Sequence, residues 1–219
     1  MKKPFISIII NCYNSDKFLK ETIQSVLNQT YTNWELILFD NKSTDNSSKI
    51  FNSFSDNRFR YILSENHTLL GEARNLAIQH AKYDWVAFLD ADDLWDRFKL
   101  EKQIELTSSN NVGFIYCESE IFFNTKNKSF FSNNIQNYKT KVVEGNIFNE
   151  LLKSNFIHLS SVIFLKQAFL NLGGVNPSYT ISEDYDFLLK ISKNYNVKFS
   201  TNTKSFYRVH DNNYSNKNI

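Results

Sequence analysis

Cysteine, net charge and long apolar runs are all scarce in this chain, and each shortage removes a class of explanation. Only Cys12 and Cys117 occur in 219 residues. Each sits in or beside an apolar, strand-like run, so a disulfide framework is excluded and buried free thiols in a reducing compartment are expected. Lys and Arg number 25 against 23 Asp and Glu, a formal net charge of +2. That balance gives no bulk electrostatic argument for nucleic acid as a partner. The opening "MKKPFISIII" starts like a signal peptide, but the apolar run breaks at Asn11 and no small-residue cleavage site follows. No other stretch approaches the roughly 20 apolar residues of a membrane span. The expectation is a cytoplasmic protein, with peripheral attachment at the inner face of the membrane left open. No internal repeat or linker breaks the chain. It reads as one domain over residues 1–219, with a first half to residue 110 and a second from 111.

What is present is a regular alternation. Phe5 to Ile10 ("FISIII") is continuously apolar and β-branched, as expected of a strand buried on both faces. In the next segment Leu19, Ile23, Val26 and Leu27 fall on one helical face. "WELILFD" is a second strand, followed by a turn "NKSTD" and a helix over 44–54. "RFRYILSE" is a third strand, "EARNLAIQHA" after Gly71 a third helix, and "DWVAFLD" a fourth strand. Strands alternating with helices of this length predict an α/β fold: a mostly parallel, Rossmann-like sheet flanked by helices. Ligands bind such sheets outside the carboxyl ends of the strands. The turn after the first strand, Asp40 at the end of the second and Asp90 at the end of the fourth therefore converge on one rim. Beyond Gly113 the pattern loosens. "FIYCESEIFF", "SSVIFL" and "KSFYRVH" read as strands, while "NIFNELLK" and "SEDYDFLLKISKNY" read as helices. The polar stretch 124–141 reads as an irregular excursion on the acceptor side.

The fourth strand delivers four carboxylates in "FLDADDLWD": Asp90, Asp92, Asp93 and Asp96. Two carboxylates about 4 Å apart repel by roughly 4 kcal/mol at the effective dielectric of a protein surface. The cluster needs a cation, a helix start or open water. A calcium loop fails, because Leu94 and Trp95 stand where an oxygen ligand and a turning glycine are required. Helix capping would place Asp92 or Asp93 at the start of "LWDRFKLEKQIELT" with Asp96 in its first turn. A divalent cation would be shared by Asp90 and Asp92, two apart at a strand end, with phosphate oxygens completing its shell.

Four stretches in order, "ISIIINCYN", "LILFDNKSTDNS", "LGEARNLAI" and "VAFLDADDLW", resemble the nucleotide-sugar domain of family 2 glycosyltransferases, which have the GT-A fold. A weaker likeness continues through "SEDYDFLLKI" and "YRVHDNNYS", so that most of the chain is covered. The resemblance implies that Tyr13 lies against a uracil ring and that Asp40 accepts its N–H. It implies that Arg74 reaches the base or phosphates, that Asp90 contacts the ribose, and that Asp92 holds Mn²⁺ or Mg²⁺ on the diphosphate. Asp184 would be the general base, His210 a further metal or phosphate contact, and Arg208 a phosphate contact. The partners implied are a UDP-sugar donor and a carbohydrate or lipid-linked glycan acceptor in bacterial surface glycan synthesis.

Such residues suit single-displacement sugar transfer. A metal stabilises the leaving diphosphate, and a carboxylate takes the proton of the acceptor hydroxyl. One base opposite the leaving group means inversion, without the second carboxylate of a retaining glycosidase. The family's Asp-Asp-Gly turn is Asp40-Asn41-Lys42 here, so Asn41 is expected to supply the left-handed residue. Asp184 after Ser182 and Glu183 also reads as a helix-capping pattern. His67, His80 and His158 read as structural. A sugar nucleotidyltransferase would want a glycine-rich loop where "NCYNSDKF" has no glycine. A nucleotide-sugar-binding subunit without catalysis is the remaining alternative.

Overall fold

The computed structural model describes residues 3–124, 138–211 and 213. Residues 125–137, the bulk of the stretch assigned to the acceptor side, lie outside the described residues.

β1 (Ile6–Cys12), β2 (Trp34–Asp40), β3 (Phe59–Leu63) and β4 (Trp85–Phe88) pair in parallel in the order β3-β2-β1-β4. α1 (Asp16–Leu27), α2 (Ser47–Asn52) and α3 (Leu70–Ile78) connect them. Successive strand residues point to opposite faces. Ile9, Ile37, Phe39, Val86 and Phe88 therefore enter one apolar cluster. Ile8, Ile10, Leu36, Leu38 and Ala87 enter the other, on the opposite side of the sheet. Each fully buried Leu, Ile or Phe contributes roughly 1.5–3 kcal/mol, and this central slab is apolar on both faces.

The sheet then continues with mixed direction. β5 (Leu94–Trp95) and α4 (Lys99–Ile104) follow the acidic stretch, and β6 (Val112–Phe123) leads away from it. α5 (Phe148–Lys153), a 3₁₀ turn at Leu159–Ser161, β7 (Val162–Leu165), α6 (Lys166–Asn171), α7 (Glu183–Asn194) and β8 (Asn196–Val209) complete the chain. β7 runs antiparallel to β4 and β6, β8 pairs in parallel with β6, and β5 closes the edge antiparallel to β8. One eight-stranded sheet, β3-β2-β1-β4-β7-β6-β8-β5, thus spans both halves. Both cysteines are buried and unpaired. Among the described residues no helix is long and apolar enough to cross a membrane.

Three local expectations are corrected. Leu94 and Trp95 form a strand opposite Phe206 and Ser205, and the helix begins only at Lys99, so neither Asp92 nor Asp93 caps it. Asp96 lies before that helix, not in its first turn, which holds Glu101, and its Oδ1 accepts from Phe98 N at 2.9 Å. In the turn after β2 the left-handed residue is Lys42 (φ 68°), whereas Asn41 uses its side chain to accept from Thr68 N and donate to Thr68 O. Ser182 makes no side-chain cap to α7 and is itself left-handed (φ 62°).

Candidate functional site

The rim lies at the carboxyl ends of β1, β2 and β4, and each strand delivers a side chain to it. Tyr13 follows β1 and is half exposed, its ring tilted against that of His67 with centroids 4.2 Å apart. His67 is held there by its Nδ1, 2.9 Å from Asn41 O. Asp40 ends β2 almost fully buried. Its Oδ1 accepts from Ser43 N at 2.7 Å and its Oδ2 from the Tyr61 hydroxyl at 2.6 Å. The Tyr61 hydroxyl is pushed well above its ordinary pKa, first by burial and then by the Asp40 carboxylate. Asp40 thus shapes the turn through Ser43, and the second lone pair on each oxygen is what remains for a ligand.

The four acids of the cluster have four different environments. Asp90 stands at the mouth with 40% of its side chain exposed, its backbone N–H bonded to Ser160 Oγ at 3.2 Å and its Oδ1 3.1 Å from Arg74 Nη2. Enough protein surrounds it to raise its pKa. Arg74 opposes that rise, and the charges of Asp92 and Asp184 add to it. Asp92 Oδ2 lies 2.9 Å from His210 Nε2 and 3.4 Å from Asn213 Nδ2. Asp93 is buried. Its Oδ1 accepts from Arg208 N at 2.9 Å, and its Oδ2 has no partner. Burial, then Asp92 and Asp90, push its pKa well above the usual carboxylate range, and the neutral acid is the form that costs least there. Asp96 turns away to α4 and to Thr203.

Arg74 joins the cluster to α7. It is 3% exposed, and its Nη1 donates to Glu183 Oε1 at 2.5 Å while Nη2 meets Asp90. Burial works against its charge, but Asp90, Glu183 and Asp184 more than restore it and hold its pKa above the ordinary value. Gly71, in the first turn of α3, lets the loop before α7 pass close by. A Cβ there would stand 3.0 Å from Asn176 O and 3.5 Å from Glu183 Cγ. Asp184 is half-buried beside Glu183, with Oδ1 accepting from Tyr185 N. Its charge raises the pKa values of Arg74, Asp90, Glu183 and His158.

Arg208 is also committed within the protein. Nε donates to Asp92 O at 2.7 Å, Nη2 to Glu21 at 2.7 Å, and the guanidinium lies over Phe18 and Phe122 at 4.4 and 4.7 Å. The two arginines assigned from sequence to the nucleotide therefore hold carboxylates and backbone in this structure. Glu183, Ser160 and His67 went unnamed as site residues. Their partners (Arg74, Asp90 N and Tyr13) lie far away in sequence, and no spacing marks them.

A divalent cation fits the residues present. Among the described residues no three His, Cys, Asp or Glu side chains are arranged to hold a metal by themselves. Asp92 Oδ2 and His210 Nε2 converge at the rim, however, and oxygen and imidazole donors suit a metal that takes its remaining ligands from phosphate. Three carboxylates (Asp90, Glu183 and Asp184) around the single guanidinium of Arg74 leave a surplus of negative charge beside that pair.

The class these features define is that of the GT-A glycosyltransferases. The fold aligns with Staphylococcus aureus TarS 1-349, solved in complex with UDP-GlcNAc, at a TM-score of 0.75 and 17% identity, over 98% of this chain and 61% of that one. It aligns with the mannosyltransferase PcManGT from Pyrobaculum calidifontis, solved with GDP-Man and Mn²⁺, at a TM-score of 0.74 and 19% identity, over 98% and 59%. The chain belongs to glycosyl transferase family 2, whose family model matches residues 7–213. It is 35% identical over 192 residues to the UDP-Glc:alpha-D-GlcNAc-diphosphoundecaprenol beta-1,3-glucosyltransferase WfgD of Escherichia coli, a match covering 88% of this chain and 71% of the relative. The chain thus spans about three fifths of the solved neighbours' length.

Proposed function

We propose that this protein transfers one sugar, with inversion, from a UDP-sugar to a hydroxyl of a lipid-linked glycan acceptor in bacterial surface glycan synthesis. The observation that carries the reading is the convergence of Asp90, the Asp92–His210 pair and Asp184 on one rim, with Arg74 linking the first to the last through Glu183. The donor and acceptor classes are supported by the E. coli relative, named for UDP-Glc and a GlcNAc-diphosphoundecaprenol, and by the UDP-GlcNAc complex of TarS. PcManGT was solved with a GDP-sugar, so the preference for uracil rests on Tyr13 and Asp40. The chain works as one unit, with residues 1–110 on the nucleotide side and 111–219 on the acceptor side.

Asp92 with His210 would hold Mn²⁺ or Mg²⁺, which supplies positive charge to the departing diphosphate. The remaining steps belong to the chain's own groups. Tyr13 offers its half-exposed ring to the base, and Asp40 fixes the turn beside it while keeping lone pairs for the base N–H. Asp90, oriented by Arg74 and by the Ser160 bond to its backbone, faces the ribose. Arg208 clamps the backbone of Asp92 and so holds the metal-side carboxylate in place. Asp184 takes the proton from the acceptor hydroxyl as that oxygen attacks, which is the work of a carboxylate within hydrogen-bond reach. Glu183, buried and paired to Arg74, anchors the first turn of α7 and thereby aims Asp184. At the cytoplasmic face of the membrane such an enzyme would meet its acceptor by peripheral contact.

The test is transfer itself. Purified protein is offered labelled UDP-Glc, UDP-GlcNAc, UDP-Gal and GDP-Man with a short-chain GlcNAc-diphospholipid and Mn²⁺ or Mg²⁺. Transfer from a UDP-sugar, with opposite anomeric configuration in donor and product, is the expected result. Transfer with retention, or from the GDP-sugar alone, contradicts the reading. Donor binding with no transfer to any glycan acceptor favours a binding subunit.

A further inference from the structure

His158 has no part in the roles above, yet its setting is unusual for a packing residue. Its imidazole stacks on Tyr138, with centroids 4.0 Å apart and an interplanar angle of 11°, and packs against Tyr207 at 4.6 Å and 35°. Tyr138 is itself fixed by its hydroxyl, which donates to Phe156 O at 2.6 Å. Aromatic rings over its faces confine the polar capacity of an imidazole to its own plane, where only the two nitrogens lie. Nδ1 is buried without a partner, although the residue as a whole keeps partial exposure.

Burial lowers the His158 pKa to about 4 against the opposing charge of Asp184. The ring is therefore neutral at neutral pH and carries one N–H. An orphaned buried N–H is rarer and costlier than an unused lone pair, so the sealed Nδ1 is the bare nitrogen and Nε2 carries the proton. Two residues further on, Ser160 Oγ accepts the Asp90 N–H. His158 is thus two residues from the contact to the acid at the donor mouth and within the electrostatic reach of Asp184 at the start of α7.

We propose that His158 is a substrate contact: its Nε2–H donates a hydrogen bond to an oxygen of the acceptor sugar beside the hydroxyl that Asp184 deprotonates. Tyr138 and Tyr207 hold the ring in the orientation this needs. A neutral N–H donor steadies the acceptor without competing for its proton, so the base remains Asp184. The proposal rests on the transferase reading above.

Two variants of the full chain separate this role from simple packing. His158→Phe keeps an aromatic ring in the stack and removes the N–H, and His158→Gln returns an in-plane N–H. Steady-state transfer is measured with donor and acceptor varied separately, together with UDP affinity and the melting temperature. The expected result for His158→Phe is a roughly ten-fold loss in kcat/KM for the acceptor, with donor KM and UDP affinity unchanged. His158→Gln should recover a measurable part of that loss. A Phe variant equal to wild type overturns the proposal, as does a loss appearing in donor KM instead. An equal loss in both variants with a lowered melting temperature shows that the ring only packs. Wild-type protein that binds UDP but transfers to no acceptor removes the transferase reading, and this inference with it.

Discussion

From Ile6 to Phe88 helices alternate with strands, β1, β2 and β3 each leading into a helix, and the four strands pair with one another in parallel. The second half is assembled the other way. Its longest strands, β6 and β8, place Val112 opposite Asn196, and β5 has no partner until β8 returns to it. The two regions divide the labour of the site accordingly. The first supplies Tyr13, Asp40, Arg74 and the acidic stretch, while the second supplies Arg208 and His210, which bond to Asp93 and Asp92, and Glu183, which shares Arg74 with Asp90. An acid cluster that would repel itself becomes tolerable only when distant parts of the chain close over it. The site is therefore a product of the joint between the halves.

The largest expected effect lies in the second half. Asp184→Asn should lower transfer by roughly 10²–10⁴-fold, the range of general base catalysis, with UDP affinity nearly intact. A fully active Asn variant would remove Asp184 from the chemistry and sever the acceptor side from the mechanism. Next comes the joint. Arg74→Met leaves Glu183 buried and unpaired and should cost about 3–5 kcal/mol in urea unfolding, as expected for one partner lost from a buried ion pair. A cost under about 1 kcal/mol would mean that the halves do not depend on this arginine. The smallest effect belongs to a local turn of the first half. Lys42→Gly relieves a left-handed side-chain residue and should stabilise the protein by up to about 1 kcal/mol, the left-handed penalty less the entropy cost of glycine. Destabilisation would show that Lys42 holds something the turn requires.

The same division explains what could be read from the chain alone. β1, β2 and β4 announce themselves, because a short, β-branched or aromatic apolar run bounded by polar turn residues fits a strand buried on both faces. The helix of α1 is equally plain from Leu19, Ile23 and Val26. The short strand Leu94–Trp95 was hidden because its reason to exist is Phe206 and Ser205, more than a hundred positions away. Ser182 resembles a helix cap by local spacing alone, whereas its backbone is left-handed and its side chain makes no cap. Asn41 is suited to a left-handed turn by type, but its amide is occupied by Thr68, and the conformation passes to Lys42. Asp90, Asp92 and Asp184 stand out through motif order, and the structure sets the first two just after β4 and the third in the first turn of α7. The partners that hold them do not, since Arg208, Ser160 and Glu183 reveal their purpose only by proximity in space.

The central claim is that "FLDADDLWD" builds a nucleotide and metal site. Calorimetric titration of UDP tests it most directly, with Mn²⁺ and with EDTA, with GDP and CDP as controls, and with Asp92→Ala beside the wild type. Binding is expected to be UDP-selective, to need the metal and to weaken sharply in Asp92→Ala. UDP binding indifferent to EDTA and to the loss of Asp92, or no binding at all, would contradict the claim.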